Sequence, residues 1–140
     1  TAPPEPIVQA QSDTTPQDPS ALIARALEIA TGQVDGTPQQ AFTAADAAAQ
    51  LGDRRGHWLS GRFALAGYGT TMPRETALAR ILLAAEEGHP EAQTFLAYEY
   101  MQSEDPVRQI VGKDYLNQAA AQAHAPALAA LRLMDAGDTR

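Results

Sequence analysis

Three histidines have the most versatile chemistry in this chain, because an imidazole serves as acid, base or metal ligand near neutral pH. They are His57, His89 and His124, and the last two occupy equivalent positions 35 residues apart. The chain has no cysteine, which excludes thiolate zinc sites and thiolate nucleophiles. We therefore expect His89 and His124 to cap loops, and we predict no metal site.

The carboxylates of Glu86, Glu87 and Glu91 come nearest to an acid–base pair. Catalytic carboxyls must face a shared pocket, whereas adjacent helical residues point about 100° apart, so a solvated helix face is expected. The segment Gly67-Tyr68-Gly69 lacks the preceding strand and following helix of a phosphate loop. The sequence therefore predicts a protein that is not an enzyme and needs no cofactor.

The charge of the chain argues against a nucleic-acid partner. Its 17 acidic residues outnumber its 10 basic residues, the formal net charge is -7, and Lys and Arg form no run. Binding to phosphates needs such a basic footprint. No apolar run approaches the ~18 residues that a transmembrane helix needs, so no membrane span is expected in this segment.

Alanine dominates the apolar residues and indicates the fold class. The sequence contains 29 alanines, whereas aromatic residues make up only 6%. Alanine is favoured in helices and depleted in strands, so packed helices are expected rather than a β-sandwich. A length of 140 residues suits a single domain.

Residues 1–19 differ in composition from the rest of the chain. They contain five of the ten prolines, no aromatic residue and no Lys or Arg. Such a segment buries too little apolar surface to offset the entropy cost of ordering, so we predict a disordered or extended tail. The tail is either a linker or a docking peptide centred on Ile7 and Val8, its only branched apolar pair.

Residues 20–140 repeat themselves about every 36 residues. Pairs of small residues at 48–49, 84–85 and 119–120 are separated by 36 and then 35 positions, and small residues recur seven positions upstream of each pair. The prolines outside the tail follow the same period. The predicted repeats cover residues 20–55, 56–91 and 92–126, with a partial fourth at 127–140.

Each repeat is expected to contain two antiparallel helices. Proline is tolerated in the first turn of a helix and glycine ends a helix without strain, so both residue types mark boundaries. The predicted C-terminal glycines are Gly32, Gly52, Gly67, Gly88 and Gly137. The first helices are predicted at 20–30, 56–66, 91–102 and 126–136, and the second helices at 38–51, 74–87 and 107–123. Stacked pairs bury a continuous core that one pair alone could not.

The repeats share a recognisable set of small and aromatic positions. The middle repeat has Gly56, Gly61, Gly67, Gly69, Ala77, Ala84, Ala85 and Gly88, and the third has Ala92, Leu96, Tyr100, Tyr115 and Ala119. This pattern resembles the Sel-one-like repeat, a relative of the tetratricopeptide repeat, with Ala64 and Arg80 at two positions where an aromatic is expected. The resemblance implies an all-α, right-handed α-solenoid of about three and a half helix pairs.

In related helical repeats, the first helix of each pair lines a groove, and its core and groove positions alternate. The resemblance assigns to the core Ile23, Leu27, Leu59, Phe63, Phe95, Leu96, Tyr100 and Leu131. It assigns to a partner-binding groove Leu22, Trp58, Arg62, Leu65, Tyr98, Met101 and Leu133. An error of one residue in this register would exchange the two sets, so Trp58 lies either in the groove or in the core.

The sequence therefore predicts a scaffold or adaptor that binds a partner peptide or helix in the groove, with an acidic rim that favours a basic partner. The alternative is an accessory subunit of a larger, membrane-associated complex, docked through the tail. Relatives with this repeat are often bacterial and exported, which implies a periplasmic or otherwise exported location, with the cytoplasm as the alternative.

Overall fold

The computed structural model describes residues 18–138, and within that range it contains seven α-helices and no strand. In chain order the helices are α1 (Pro19–Ala30), α2 (Pro38–Gln50), α3 (Arg54–Leu65), α4 (Arg74–Glu86), α5 (Pro90–Met101), α6 (Pro106–Ala121) and α7 (Ala125–Asp138). Each helix packs against the next along the chain, and α1 also contacts α3. The predicted all-α solenoid is confirmed, while Ile7 and Val8 lie outside the described residues.

Proline and short polar side chains begin the helices. The missing N–H of proline has no intrahelical partner in the first turn, and four helices begin with it, at Pro19, Pro38, Pro90 and Pro106. Before α2, Thr37 and Gln40 form a capping box in which each side chain bonds to the backbone N–H of the other residue. Asp18 caps α1, so Pro19 is the first residue of this helix and does not belong to the tail predicted at residues 1–19.

Residues in the left-handed conformation end the helices. Four predicted C-terminal glycines have φ between 70° and 90°, namely Gly32, Gly52, Gly67 and Gly88. Ala123 occupies the corresponding position of the third repeat with φ of 61°, a conformation that is unfavourable for a residue with a Cβ atom. The prediction for Gly137 was wrong, because α7 continues through it to Asp138.

Alanine forms most of the core and confirms the internal period. Ala48, Ala84 and Ala119 occupy equivalent positions in successive repeats, and all three are completely buried. Ala41 and Ala77, seven residues upstream of the first two, are also completely buried. Because these side chains are small, the backbones of neighbouring helices come into close contact.

Two glycines lie where backbones approach too closely for a side chain. A Cβ atom at Gly56 in α3 would lie 2.3 Å from the backbone N of Ala49 in α2. A Cβ atom at Gly69, which has φ of 77°, would lie 2.1 Å from the carbonyl oxygen of Pro38. Glycine at these positions therefore sets the distance between elements as well as the course of a turn.

Arg80 occupies one of the positions where the resemblance expects an aromatic residue, and it links three helices. Its Nη1 atom lies 2.5 Å from Oδ1 of Asp46 in α2 and donates to Oγ of Ser60 in α3 at 2.9 Å. The side chains of Arg80 and Asp46 are 24% and 22% exposed. An ion pair shielded from solvent on most sides thus joins α2 to α4, across the hydroxyl of Ser60.

Candidate functional site

Aromatic and charged side chains of α3 and α5 form a cluster, here called the Trp58 cluster, of Trp58, Arg62 and Phe95. The Trp58 ring packs edge-on against Phe95 with the centroids 5.8 Å apart. The Arg62 guanidinium lies over both rings, 5.5 Å from the Trp58 centroid and 4.9 Å from that of Phe95. Arg62 forms no ion pair with any of residues 18–138, so its charge remains available to a ligand.

Side chains of the first turns of α3 tie this helix to the α4–α5 connection. Nε1 of Trp58 donates to Oε2 of Glu91 at 3.0 Å. Nδ1 of His57 lies 2.9 Å from Oε1 of Glu87, and Nη1 of Arg54 donates to the carbonyl of Glu87 at 3.0 Å. Glu87 and Glu91 were expected to lie on a solvated helix face, but both form hydrogen bonds with side chains of α3. The Trp58 ring is held in place before any ligand arrives, which reduces the entropy cost of binding.

A cleft of about 260 Å³ opens beside the cluster, between α1, α3 and the start of α5. Small-molecule sites generally occupy about 300–1,000 Å³, so this cleft suits one or two side chains of a partner better than a cofactor. Leu27 was predicted in the core, but it is 44% exposed because it faces this opening. The lining residues are Ile23, Leu27, Arg55, Trp58, Leu59, His89 and Glu91.

His89 forms a buried part of the cleft wall. The residue is only 8% exposed, and its ring centroid lies 5.9 Å from that of Trp58. Its Nε2 atom has no hydrogen-bond partner among residues 18–138. Burial lowers the pKa of His89 below its usual 6.5, because desolvation disfavours the imidazolium, although the charge of Glu91 opposes this. His89 precedes α5 but makes no capping hydrogen bond, so the loop-capping prediction was wrong for this residue.

The rim of the cleft carries charges of both signs rather than the acidic charge expected from the sequence. Arg55 lies beside Asp53, with Nη2 2.7 Å from Oδ2, and this hydrogen-bonded guanidinium holds the pKa of Asp53 below its usual 3.8. Glu91 contributes negative charge, and Arg62 over the Trp58 ring contributes positive charge close by. A ligand therefore meets both donors and acceptors at this edge.

The structure brings Trp58 and Arg62 together but separates the other predicted groove residues. Leu65 packs against the core around Ile81, as Trp58 does. Met101 packs near Leu116, and Leu22 packs near Ala26, in two other parts of the core. Tyr98 and Leu133 are 48% and 76% exposed. The predicted groove thus combines surface residues with residues that support the core.

Trp58 belongs both to the core and to the binding surface, the two alternatives that the sequence left open. It is half-buried, packs against the core cluster that contains Ile81 and Leu96, and also lines the cleft. Ile23 and Leu96 are buried as predicted, whereas Leu59 and Phe95 are half-buried. Core and binding surface therefore share side chains at this point of the solenoid.

Sequence reasoning missed three polar residues of the cleft, which are Arg55, His89 and Glu91. Arg55 was detectable, since it lies one turn before Trp58 and Leu59 on the same side of α3. His89 and Glu91 belong to the start of the next helix pair, and only the stacking of the pairs places them beside Trp58.

A larger cleft, of about 600 Å³, lies between α4 and α6. Leu82, Tyr100 and Val111 contribute to its apolar surface, and Arg108 lies 6.0 Å from the Tyr100 ring. Arg74 at its edge lies 3.7 Å from Glu99. This second surface also has an arginine over an aromatic ring, and none of its described lining residues has an unbonded buried polar atom, so it provides a matched control for the Trp58 cluster.

Within residues 18–138, no group of three or more histidine, aspartate or glutamate side chains is placed to hold a metal ion. In the same range, no helix combines the length and the apolar character needed to cross a membrane. The arrangement around Trp58 offers apolar contact, stacking and hydrogen bonding to a ligand.

Comparison with known proteins supports a repeat fold. No family model and no curated protein matches the sequence. The structure is similar to the crystal structure of a Sel1 repeat protein from Oxalobacter formigenes, with a TM-score of 0.69 and 27% sequence identity over 79% of this chain. The chain spans about a third of that protein, 32% of its length. Together with the internal period, this similarity shows that the chain is an all-α solenoid of helical repeats, similar in fold to a Sel1 repeat protein.

Proposed function

We propose that this chain is a protein-binding scaffold whose partner docks on the Trp58 cluster and the adjoining cleft. The observation that carries the proposal is a tryptophan fixed by a hydrogen bond to Glu91 beside an arginine, Arg62, that has no ion-pair partner among residues 18–138. Tryptophan and arginine are enriched at the residues that dominate binding energy. The similarity to a Sel1 repeat protein supports an interaction scaffold in general terms.

The cleft also indicates what a partner must provide. An apolar side chain fits between Ile23, Leu27 and Leu59, and a carboxylate or carbonyl oxygen can accept hydrogen bonds from Arg62. The overall charge of -7 attracts a basic partner at long range, whereas Arg62 selects for an acceptor at the contact itself. The preferred ligand is a peptide segment with an apolar residue next to a hydrogen-bond acceptor.

The test uses surface residues, because Trp58 also supports the core. The wild-type chain and the variant Arg62→Ala are used to capture proteins from the native host, and captured proteins are identified by mass spectrometry. Affinity for each purified candidate is then measured by calorimetry. A partner of the proposed site should lose at least tenfold in affinity with Arg62→Ala.

Arg108→Ala is the matched control, since Arg108 also lies over an aromatic ring but on the α4–α6 surface. It should retain wild-type affinity. A partner that loses affinity with Arg108→Ala and not with Arg62→Ala would place the binding surface between α4 and α6. Docking through the tail, the alternative function, predicts that neither substitution matters and that changes at Ile7 and Val8 abolish capture.

A further inference from the structure

We propose that the cleft beside Trp58 binds the N-terminal segment of this same chain, through Ile7 and Val8, and that this segment competes with the partner. The inference rests on the proposed function for the choice of cleft, but it names a different occupant. It turns the docking peptide expected from the sequence into an internal ligand of the solenoid.

The described part of the chain begins beside the cleft. Asp18 caps α1, and Arg55, which lines the cleft, donates from Nη2 to Oγ of Ser20 at 3.0 Å. Ile23, another lining residue, follows Asp18 by five helical residues, or about 7.5 Å. Val8 precedes Asp18 by ten positions, a length of chain that can span up to about 35 Å. The segment therefore reaches the cleft with length to spare.

The segment has the composition that the cleft requires. Ile7 and Val8 are the only adjacent branched apolar residues in 1–17, and the cleft walls include Ile23, Leu27 and Leu59. Residues 1–17 contain two acidic residues, Glu5 and Asp13, and no Lys or Arg. Arg62 lies over the Trp58 ring without an ion-pair partner in residues 18–138 and can pair with one of these carboxylates.

Covalent attachment makes such a ligand effective even if its intrinsic affinity is low. A segment joined by a short linker has an effective concentration in the millimolar range. A partner must therefore displace the segment, and its apparent affinity falls accordingly. Only a partner of sufficient affinity or concentration would then displace the tail from the cleft.

Fluorescence of Trp58 tests the proposal, because Trp58 is the only tryptophan and lines the cleft. Acrylamide quenching is compared in the full chain and in the Ile7→Asp/Val8→Asp variant, with Thr14→Asp/Thr15→Asp as a control that adds the same charge elsewhere in the segment. We expect quenching to increase in the Ile7/Val8 variant only. Equal quenching in all three proteins overturns the proposal.

A peptide of residues 1–17 is then titrated into the Ile7→Asp/Val8→Asp full chain, whose cleft should be empty. Quenching should return to the wild-type level in a saturable manner. Adding Leu27→Glu in the cleft should weaken the peptide at least tenfold, whereas Leu51→Glu, at an exposed position outside the cleft, should not. Circular dichroism checks that each variant keeps its helices, and Arg62→Ala tests the contribution of the charge beside Trp58.

The two proposals fail separately. A partner captured with the same affinity by the wild type and by the Ile7→Asp/Val8→Asp chain refutes competition by the tail and leaves the scaffold function in place. A peptide that binds in the cleft, with no partner affected by Arg62→Ala, supports the internal ligand and refutes the proposed partner site.

Discussion

Substituting Gly56 by alanine tests the claim that contact between backbones organises this solenoid. A Cβ atom at this position would lie 2.3 Å from the N of Ala49, 2.7 Å from the C of Ala48 and 2.9 Å from the O of Ala45. All three atoms belong to the backbone of α2, so no flexible side chain can move aside. The added methyl group must push α3 away from α2.

The size of the effect follows from that displacement. Ordinary contacts begin near 3.4 Å, so the shortest distance must increase by about 1.1 Å. A gap of this size removes a quarter to a half or more of the dispersion energy along the interface, and overpacking costs about 1–3 kcal/mol or occasionally more. The higher helix propensity of alanine returns about 1 kcal/mol. Because three backbone atoms are involved, the cost lies at the upper end of that range, so we expect a net loss of about 2 kcal/mol in the free energy of unfolding, equivalent to a decrease of about 6–10 °C in Tm.

Thermal and urea unfolding followed by circular dichroism measures this change. The control is Gly137→Ala, because a Cβ atom there has no neighbour within 4 Å and the residue lies inside α7. This variant should be unchanged or more stable by up to about 1 kcal/mol. If Gly56→Ala stays within about 0.5 kcal/mol of the wild type, α2 and α3 are not held at the proposed distance.

Two further predictions concern polar groups. Arg80→Ala should lower the free energy of unfolding by about 1–3 kcal/mol, because it leaves the largely buried carboxylate of Asp46 without its ion-pair partner. Arg74→Ala, which breaks the exposed pair with Glu99, should cost at most about 0.5 kcal/mol. Urea unfolding of both variants and of the Asp46→Ala/Arg80→Ala double variant measures these changes, and equal losses for the two arginine variants would refute the prediction. The pKa of His89 is lowered in the folded protein, so the unfolded chain binds a proton at this imidazole first as the pH falls. The free energy of unfolding should therefore decrease below pH 6.5 and should not depend on His89 above it. The pH dependence of wild-type unfolding between pH 7.5 and about 5 should therefore be steeper than that of His89→Gln, and parallel curves would contradict the buried, neutral imidazole.

The helices were predictable because their boundaries depend on neighbouring residues in the chain. Pro38, Pro90 and Pro106 begin helices, and Gly52 and Gly88 end them, through backbone conformations that are local properties. Gly137 shows the limit of this reasoning. Glycine permits a left-handed termination without requiring one, and α7 continues through Gly137.

The candidate site was only partly predictable. Trp58 and Arg62 are four residues apart in one helix, so the sequence could place them on one face. Their partners could not be assigned in this way, because Glu91 is 33 residues from Trp58 and Glu87 is 30 residues from His57. Leu27 was assigned to the core by a pattern that cannot distinguish a filled interface from an open cleft.

The sequence by itself determined the helical class, the repeat of about 36 residues and most of the helix boundaries. These follow from the intrinsic preferences of alanine, proline and glycine and from a period that recurs along the chain. Tertiary structure alone decided which side chains meet across helix pairs, which polar atoms are buried and where the cleft opens. Each residue rotates about 100° around its helix, and stacking fixes that rotation relative to the next pair, so small changes in packing exchange buried and exposed positions.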